Sequence, residues 1–237
     1  MIEVLNSAVP VACWSCSVAH NDSTLFCAHC SKIQPPPGGD YFQVFGLDRA
    51  FQVDLATLEQ EFHRLSRKVY PDRFARAGEN ERQWSLADTA LLNDAYRTLK
   101  DPLHRTEYLL KLEGAEIGEE HAGKDPGEAR KGQKDPSRVP ADLLEEVFEL
   151  NMQLEEMRMA RKMGESDPAL QADLEQAKKK FEALLAAVDE DLRAQWKTWD
   201  AGDELARKAV QKTMVALLDR RRYLSNLVRD VTETLGA

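Results

Sequence analysis

No apolar run in the 237 residues approaches the roughly 20 that a membrane span needs, which excludes a transmembrane helix from the reading. Aromatic residues are scarce at 7%, while Leu, Ala, Glu, Lys and Arg dominate, a balance that disfavours sheet and favours long helices. Cations are outnumbered: 32 Lys and Arg stand against 41 Asp and Glu, a net charge of -9. Phosphate contacts need clustered Lys and Arg, so the chain is a poor general binder of nucleic acid. It has no Gly-rich phosphate loop, no nucleophile elbow and no His-Glu metal helix, so nothing in it points to an enzyme. The opening "MIEVLNSAVP" lacks the basic flank of a signal peptide and the arginines of a transit peptide, and a cytoplasmic protein is expected. Cysteine is also sparse. The four present all lie between residues 13 and 30, which argues against disulfides spread through a fold and for a local metal site.

Those four are Cys13, Cys16, Cys27 and Cys30, in the pattern C-x2-C-x10-C-x2-C. A pair two apart lets a tight turn aim both sulfurs at one ion, and two facing turns complete a tetrahedral thiolate site. About thirty residues cannot make a core, so metal binding would supply the folding energy. Structural Zn2+ fits this spacing best; a redox-active or iron-loaded set and free thiols stand as alternatives. His20 and His29 are spare, with His29 expected to point outward. The rival role for the module is a nucleic-acid knuckle, against which the acidic balance argues.

The expected organisation is a four-cysteine module over 1–33, a linker at 34–40 ("QPPPGGD"), a compact helical block over 41–112, a polar loop at 113–140 and a three-helix bundle over 141–237. The fold class is mostly α. In the middle block Asp54 is a helix cap, and Leu58, Phe62, Leu65 and Val69 recur on one side of the helix that follows. Pro71 stops that helix. The next runs from about Asn80 to Leu99, with Ala87, Leu91, Ala95 and Leu99 expected inward. In the bundle, the second helix carries Leu170, Leu174, Ala177, Phe181, Leu184 and Val188. The third carries Leu205, Met214, Leu217, Leu218, Leu224 and Val228.

The bundle's first helix has apolar residues to spare. At roughly 100° per residue, Leu143, Val147, Leu150, Leu154 and Met157 fall on one face. Phe148, Met152 and Met159 fall on the opposite one, with Leu144 between. A second stripe of this kind marks a partner site, and methionine suits adaptable contacts. The competing reading is that residues 113–139 fold over it.

The middle block resembles a J domain in "YFQVFGL", "HRLSRKVY", "PDRF" and "LNDAYRTLKDPLHRTEYLL". With "FELNMQLEEM" and the C-terminal bundle in the same order, residues 40–235 resemble the HscB-type J-domain co-chaperones of iron–sulfur cluster assembly. The cysteine module resembles the extra metal domain of some members. The resemblance implies docking on a DnaK/HscA-type ATPase chaperone through Arg64, Arg67, Lys68, Tyr70, Pro71, Asp72 and Arg73, with stimulation of ATP hydrolysis. It further implies binding of an IscU-type scaffold protein through Leu144, Phe148, Glu149, Met152 and Leu217. Such a protein does no bond chemistry itself, binds neither nucleic acid nor membrane, and is a monomer or weak dimer.

Tyr70 departs from the family's histidine. It presents a phenol in place of a two-nitrogen ring, and it does not charge at neutral pH. Three readings stay open: a working loop that uses the hydroxyl, a weakened or silent one, and an introduced change. A silent loop would leave a scaffold-binding adaptor. A zinc-ribbon nucleic-acid binder is the alternative from another class.

Overall fold

The computed structural model describes residues 10–21, 24–117 and 141–236; most of the polar stretch expected at 113–140, and the N-terminal tail, lie outside the described residues. The chain forms two compact units, 1–113 and 114–237.

The first unit begins with an antiparallel pair, β1 (Pro10–Ala12) and β2 (Ala19–Asn21), in which Val11 faces His20. A bridge between Phe26 and Ile33 repeats the arrangement around the second cysteine pair. Four helices follow: α1 (Tyr41–Val44), α2 (Leu55–Val69), α3 (Glu79–Lys100) and α4 (Pro102–Leu112). A single 3-10 turn, Pro71–Phe74, sits between α2 and α3.

Local chemistry sets these boundaries. Asp40 caps α1 by accepting from the Gln43 amide at 3.0 Å, and it is held by Arg49 at 2.7 Å. Gln34 is buried, and its amide bonds the Leu25 carbonyl at 2.9 Å. Both ends of the expected linker are therefore built into structure. Asp54 caps α2, accepting from the Ala56 amide at 3.0 Å and the Thr57 hydroxyl at 2.6 Å. Asp101 caps α4 through the Leu103 and His104 amides, with Pro102 in the first turn.

Leu58, Leu65 and Val69 of α2 are buried, and Phe62 stacks on Tyr96 of α3 at 4.2 Å. At the other end the Ser85 hydroxyl donates to the Val69 carbonyl at 2.5 Å. Residue 62 meets 96 and residue 69 meets 85, so α2 and α3 run antiparallel around the turn at Pro71. The inward face of α3 is Ser85, Asp88, Leu92, Ala95 and Leu99. Ala87, expected inward, is exposed, and Leu91 is half-buried. Two polar residues at the start of the buried stripe hid its true register from the hydrophobic pattern. Arg105 ties α4 down from inside, donating to the Phe51 carbonyl at 2.8 Å and the Leu99 carbonyl at 2.5 Å.

Among the described residues the second unit has three α-helices: α5 (Leu144–Lys162), α6 (Pro168–Ala201) and α7 (Glu204–Gly236). Gly164, at φ +74°, adopts the left-handed conformation that ends α5. Its core joins Leu150 and Leu154 of α5 to Leu174, Phe181 and Leu192 of α6, with Met214, Leu224 and Val231 of α7. Leu205, expected on the core side of α7, is 79% exposed. It lies five residues before Val210, where the buried series starts, and five residues turn a helix about 140° off any stripe.

Candidate functional site

Three surfaces bear on function. The first is the cysteine module. Each C-x2-C pair closes as the same turn. The Ser17 amide donates to the Cys13 carbonyl at 2.9 Å, and the Ser31 amide to the Cys27 carbonyl at 2.8 Å. Ser17 and Ser31 have φ of 59° and 58°, the left-handed backbone that swings the chain back after the second cysteine of each pair. The outcome is four sulfurs within 4.8 Å of one another, Cys13 to Cys30 at 3.6 Å and Cys16 to Cys27 at 3.7 Å. Thiolates about 2.3 Å from a tetrahedral ion are separated by roughly 3.8 Å, so the set fits one metal ion.

Proton chemistry favours the same conclusion. Burial raises the Cys13 thiol, but the amides of Cys16 and Ser15 and the thiols of Cys30 and Cys16 outweigh it and bring the pKa down to about 6. The Val18 amide lowers the Cys16 thiol, yet burial and the other sulfurs push it up to about 12. Four thiolates this close repel, and a bound cation removes that cost. His29 is exposed, as its position between Cys27 and Cys30 suggested.

The second surface is the end of α2 with its following turn. Tyr70 is 56% exposed and Asp72 is exposed. Neither the phenol nor the carboxylate has a partner among the described residues, so both face outward unspent. Pro71 starts the 3-10 turn, and the Arg73 guanidinium donates back to the Arg67 carbonyl at 3.4 Å. Arg64 is neutralised by Glu61 at 2.8 Å. Arg67, Lys68 and Arg73 have no carboxylate partner among the described residues. The cationic character expected of this face therefore rests on those three.

Sequence reasoning missed what holds this turn. Ser85 takes the last free carbonyl of α2. The cysteine module also packs on both stems of the hairpin. Trp14 meets Trp84 edge-on at 5.6 Å, Lys32 bonds Glu81 at 3.1 Å, and the Lys68 ammonium lies 5.9 Å from the Phe26 ring centre. The signal was present in Trp14 and Phe26, each next to a cysteine of the cluster in a module too small to enclose it.

The third surface is α5. Leu143, Val147, Leu150, Leu154 and Met157 are buried, while Leu144, Phe148, Met152 and Met159 are 54%, 68%, 60% and 61% exposed. Glu149 is exposed beside Phe148, and Leu217 of α7 is half-buried. Arg220, one turn beyond Leu217, clamps Asp142 through two bonds of 2.9 and 2.7 Å and so ties α7 to the start of α5. A groove of about 830 Å³ continues from Phe148 past Met152 and Met163 to Pro168. The competing cover, residues 113–139, lies almost wholly outside the described residues. No helix among the described residues is long and apolar enough to cross a membrane.

No family model matches the chain. It is 35% identical over 164 residues to the mouse iron-sulfur cluster co-chaperone protein HscB, an alignment that covers 68% of this chain. That alignment, and the corresponding one with the human protein at 33%, spans 64% of the relative's own length, just under two thirds. With the HscB homologue of Vibrio vulnificus YJ016 it shares 32% identity over 158 residues, covering 82% of that protein. Among solved structures, human HscB aligns with a TM-score of 0.65 at 26% identity, over 94% of this chain and 98% of that one. The chaperone HscB from Vibrio cholerae aligns at 0.53 and 27% identity, over 82% and 96%.

Proposed function

The chain belongs to the HscB family of iron–sulfur cluster co-chaperones, and from that premise we propose that it brings an IscU-type scaffold protein to a DnaK/HscA-type chaperone and stimulates ATP hydrolysis there. In this reading the α2 face (Arg64, Arg67, Lys68 and Arg73) with the turn Tyr70, Pro71 and Asp72 contacts the chaperone. Leu144, Phe148, Glu149, Met152 and Leu217 hold the scaffold. Zn2+ on Cys13, Cys16, Cys27 and Cys30 is structural: it supplies folding energy to the module and takes no part in chemistry. The chain breaks no covalent bond itself and works in the cytoplasm.

The observation that carries the reading is the second apolar stripe of α5. Phe148 at 68% and Met152 at 60% exposure lie across the helix from Leu150 and Leu154, which already fill the core. Water-exposed apolar side chains opposite a complete core are what a partner surface requires. Exposed Phe and Met also supply adaptable contact area.

Tyr70 favours a second reading, in which scaffold binding persists and the chaperone is not stimulated. Single-turnover ATP hydrolysis by the chaperone separates the two, run with and without scaffold for the wild type and Tyr70→His. Strong, equal stimulation by both proteins supports a working loop that uses the phenol. Stimulation by the histidine variant alone establishes the adaptor. Stimulation by neither, with intact scaffold binding, refutes chaperone activation altogether.

A further inference from the structure

The cysteine module and α2 enclose a groove of about 1120 Å³, formed wholly within the first compact unit. Small-molecule pockets fill about 300–1,000 Å³, so this one is of peptide size. One wall is the second cysteine turn, with Leu25 and Phe26; the other is Leu65, Lys68, Arg73 and Phe74. The charges around it divide into two sets. Arg64 is paired with Glu61, and Lys32 with Glu81. Lys68 and Arg73 have no carboxylate partner among the described residues, and Lys68 instead overlies the Phe26 ring.

Two unneutralised cations beside two aromatic rings, in a groove whose lining is otherwise mixed, favour a particular ligand. Lys68 and Arg73 are exposed, so their attraction for an anion is that of surface charges, and the half-buried rings of Phe26 and Phe74 reward apolar atoms beside it. A bare inorganic anion would leave those walls unused, and a purely apolar peptide would leave the cations unmet.

We propose that this groove docks a short acidic segment of the ATPase chaperone, with carboxylates meeting Lys68 and Arg73 and apolar side chains meeting Phe26 and Phe74. The metal-bearing module is then half of the chaperone contact. The proposal rests on the reading that α2 faces the chaperone, and it adds a wall that the J-domain resemblance does not contain. Because the module folds on its metal, this half of the contact is metal-dependent.

The test uses the full, zinc-loaded chain and titration calorimetry with the purified DnaK-type chaperone of the same cells. Phe26→Asp and Phe26→Lys disturb packing alike but differ in charge. Both variants lose the apolar contact at Phe26 and are expected to bind more weakly than the wild type, Phe26→Asp at least tenfold more weakly than Phe26→Lys. Equal affinities for the two variants overturn the proposal, whether both fall or neither does. Zinc content is measured for each. If Phe26→Asp releases its zinc, Thr24→Asp and Thr24→Lys, on the same wall but outside the cysteine turn, make the same comparison and are read the same way. Arg67→Glu, on α2 but outside the groove, separates the two levels. If Arg67→Glu weakens binding while the charge pairs do not diverge, the groove fails alone. If Arg67→Glu and Lys68→Glu both leave affinity unchanged, the α2 reading fails with it.

Discussion

Asp88 is fully enclosed on α3, and neither of its carboxylate oxygens has a hydrogen-bond partner among the described residues. Burial disfavours its ionised form and pushes its pKa up to about 7. The folded state therefore holds a proton between about pH 4 and pH 7 that the unfolded chain has lost, and stability falls as pH rises through that window. Asp88→Asn removes the cost. Urea unfolding at pH 8 should show the variant more stable by up to about 4 kcal/mol, with little difference at pH 4. A variant less stable at both pH values would mean that Asp88 makes a contact its amide cannot replace. Ser85 is the opposite case, a buried hydroxyl with a defined use. Ser85→Ala leaves the Val69 carbonyl unmet and should cost about 1–3 kcal/mol in the same measurement. Because that carbonyl lies next to Tyr70, the loss should also loosen the turn, read as faster amide exchange at Arg73.

At the scale of the element, α5 separates two kinds of apolar residue. Leu150→Ala empties a site that is 1% exposed and should cost about 2–5 kcal/mol. Phe148→Ala and Met152→Ala remove exposed atoms and should each change stability by less than about 0.5 kcal/mol. Under the proposed function they should nevertheless weaken scaffold binding about tenfold or more, with the circular dichroism unchanged. Loss of helicity in either variant would show that the outer stripe is core. The periodicity of α5 was readable from the sequence because every position in its buried stripe is apolar. On α3 the same reasoning placed Ala95 and Leu99 correctly but slipped by one position at Ala87 and Leu91, since Ser85 and Asp88 occupy buried sites that hydrophobicity does not mark. On α7 it failed at Leu205, where an apolar residue lies off the stripe in the first turn.

For the whole molecule, the two compact units each bury a core of their own, but only the first contains the cysteine site. Removing metal should therefore act on one unit. Chelation is expected to unfold the module, break the Trp14–Trp84 contact and red-shift tryptophan emission, while the melting of the α5–α7 bundle stays within about 2 °C. A bundle that melts with the module would show the units to be coupled. Metal retention should also fall with acid, because protons compete for the thiolates. Under the proposed function the local cations Arg67, Lys68 and Arg73, not the net charge of -9, set the salt response: screening of their attraction for acidic groups should lower chaperone affinity as ionic strength rises.

The sequence by itself determined the cysteine site, the helical class, the turn at Pro71 and the second stripe of α5. Each is a local pattern whose chemistry is complete within a few residues: a C-x2-C spacing, a capping aspartate, a proline, a 3.6-residue period. Only the tertiary structure decided that the module folds onto the J hairpin, that Ser85 and Arg105 bond carbonyls from other elements, and that Lys68 and Arg73 share a groove with Phe26. Apart from the Arg105 bond to Leu99, six positions away, those facts depend on contacts between residues 16 to 70 positions apart, and no local pattern encodes which distant surface an exposed aromatic or a buried donor will meet.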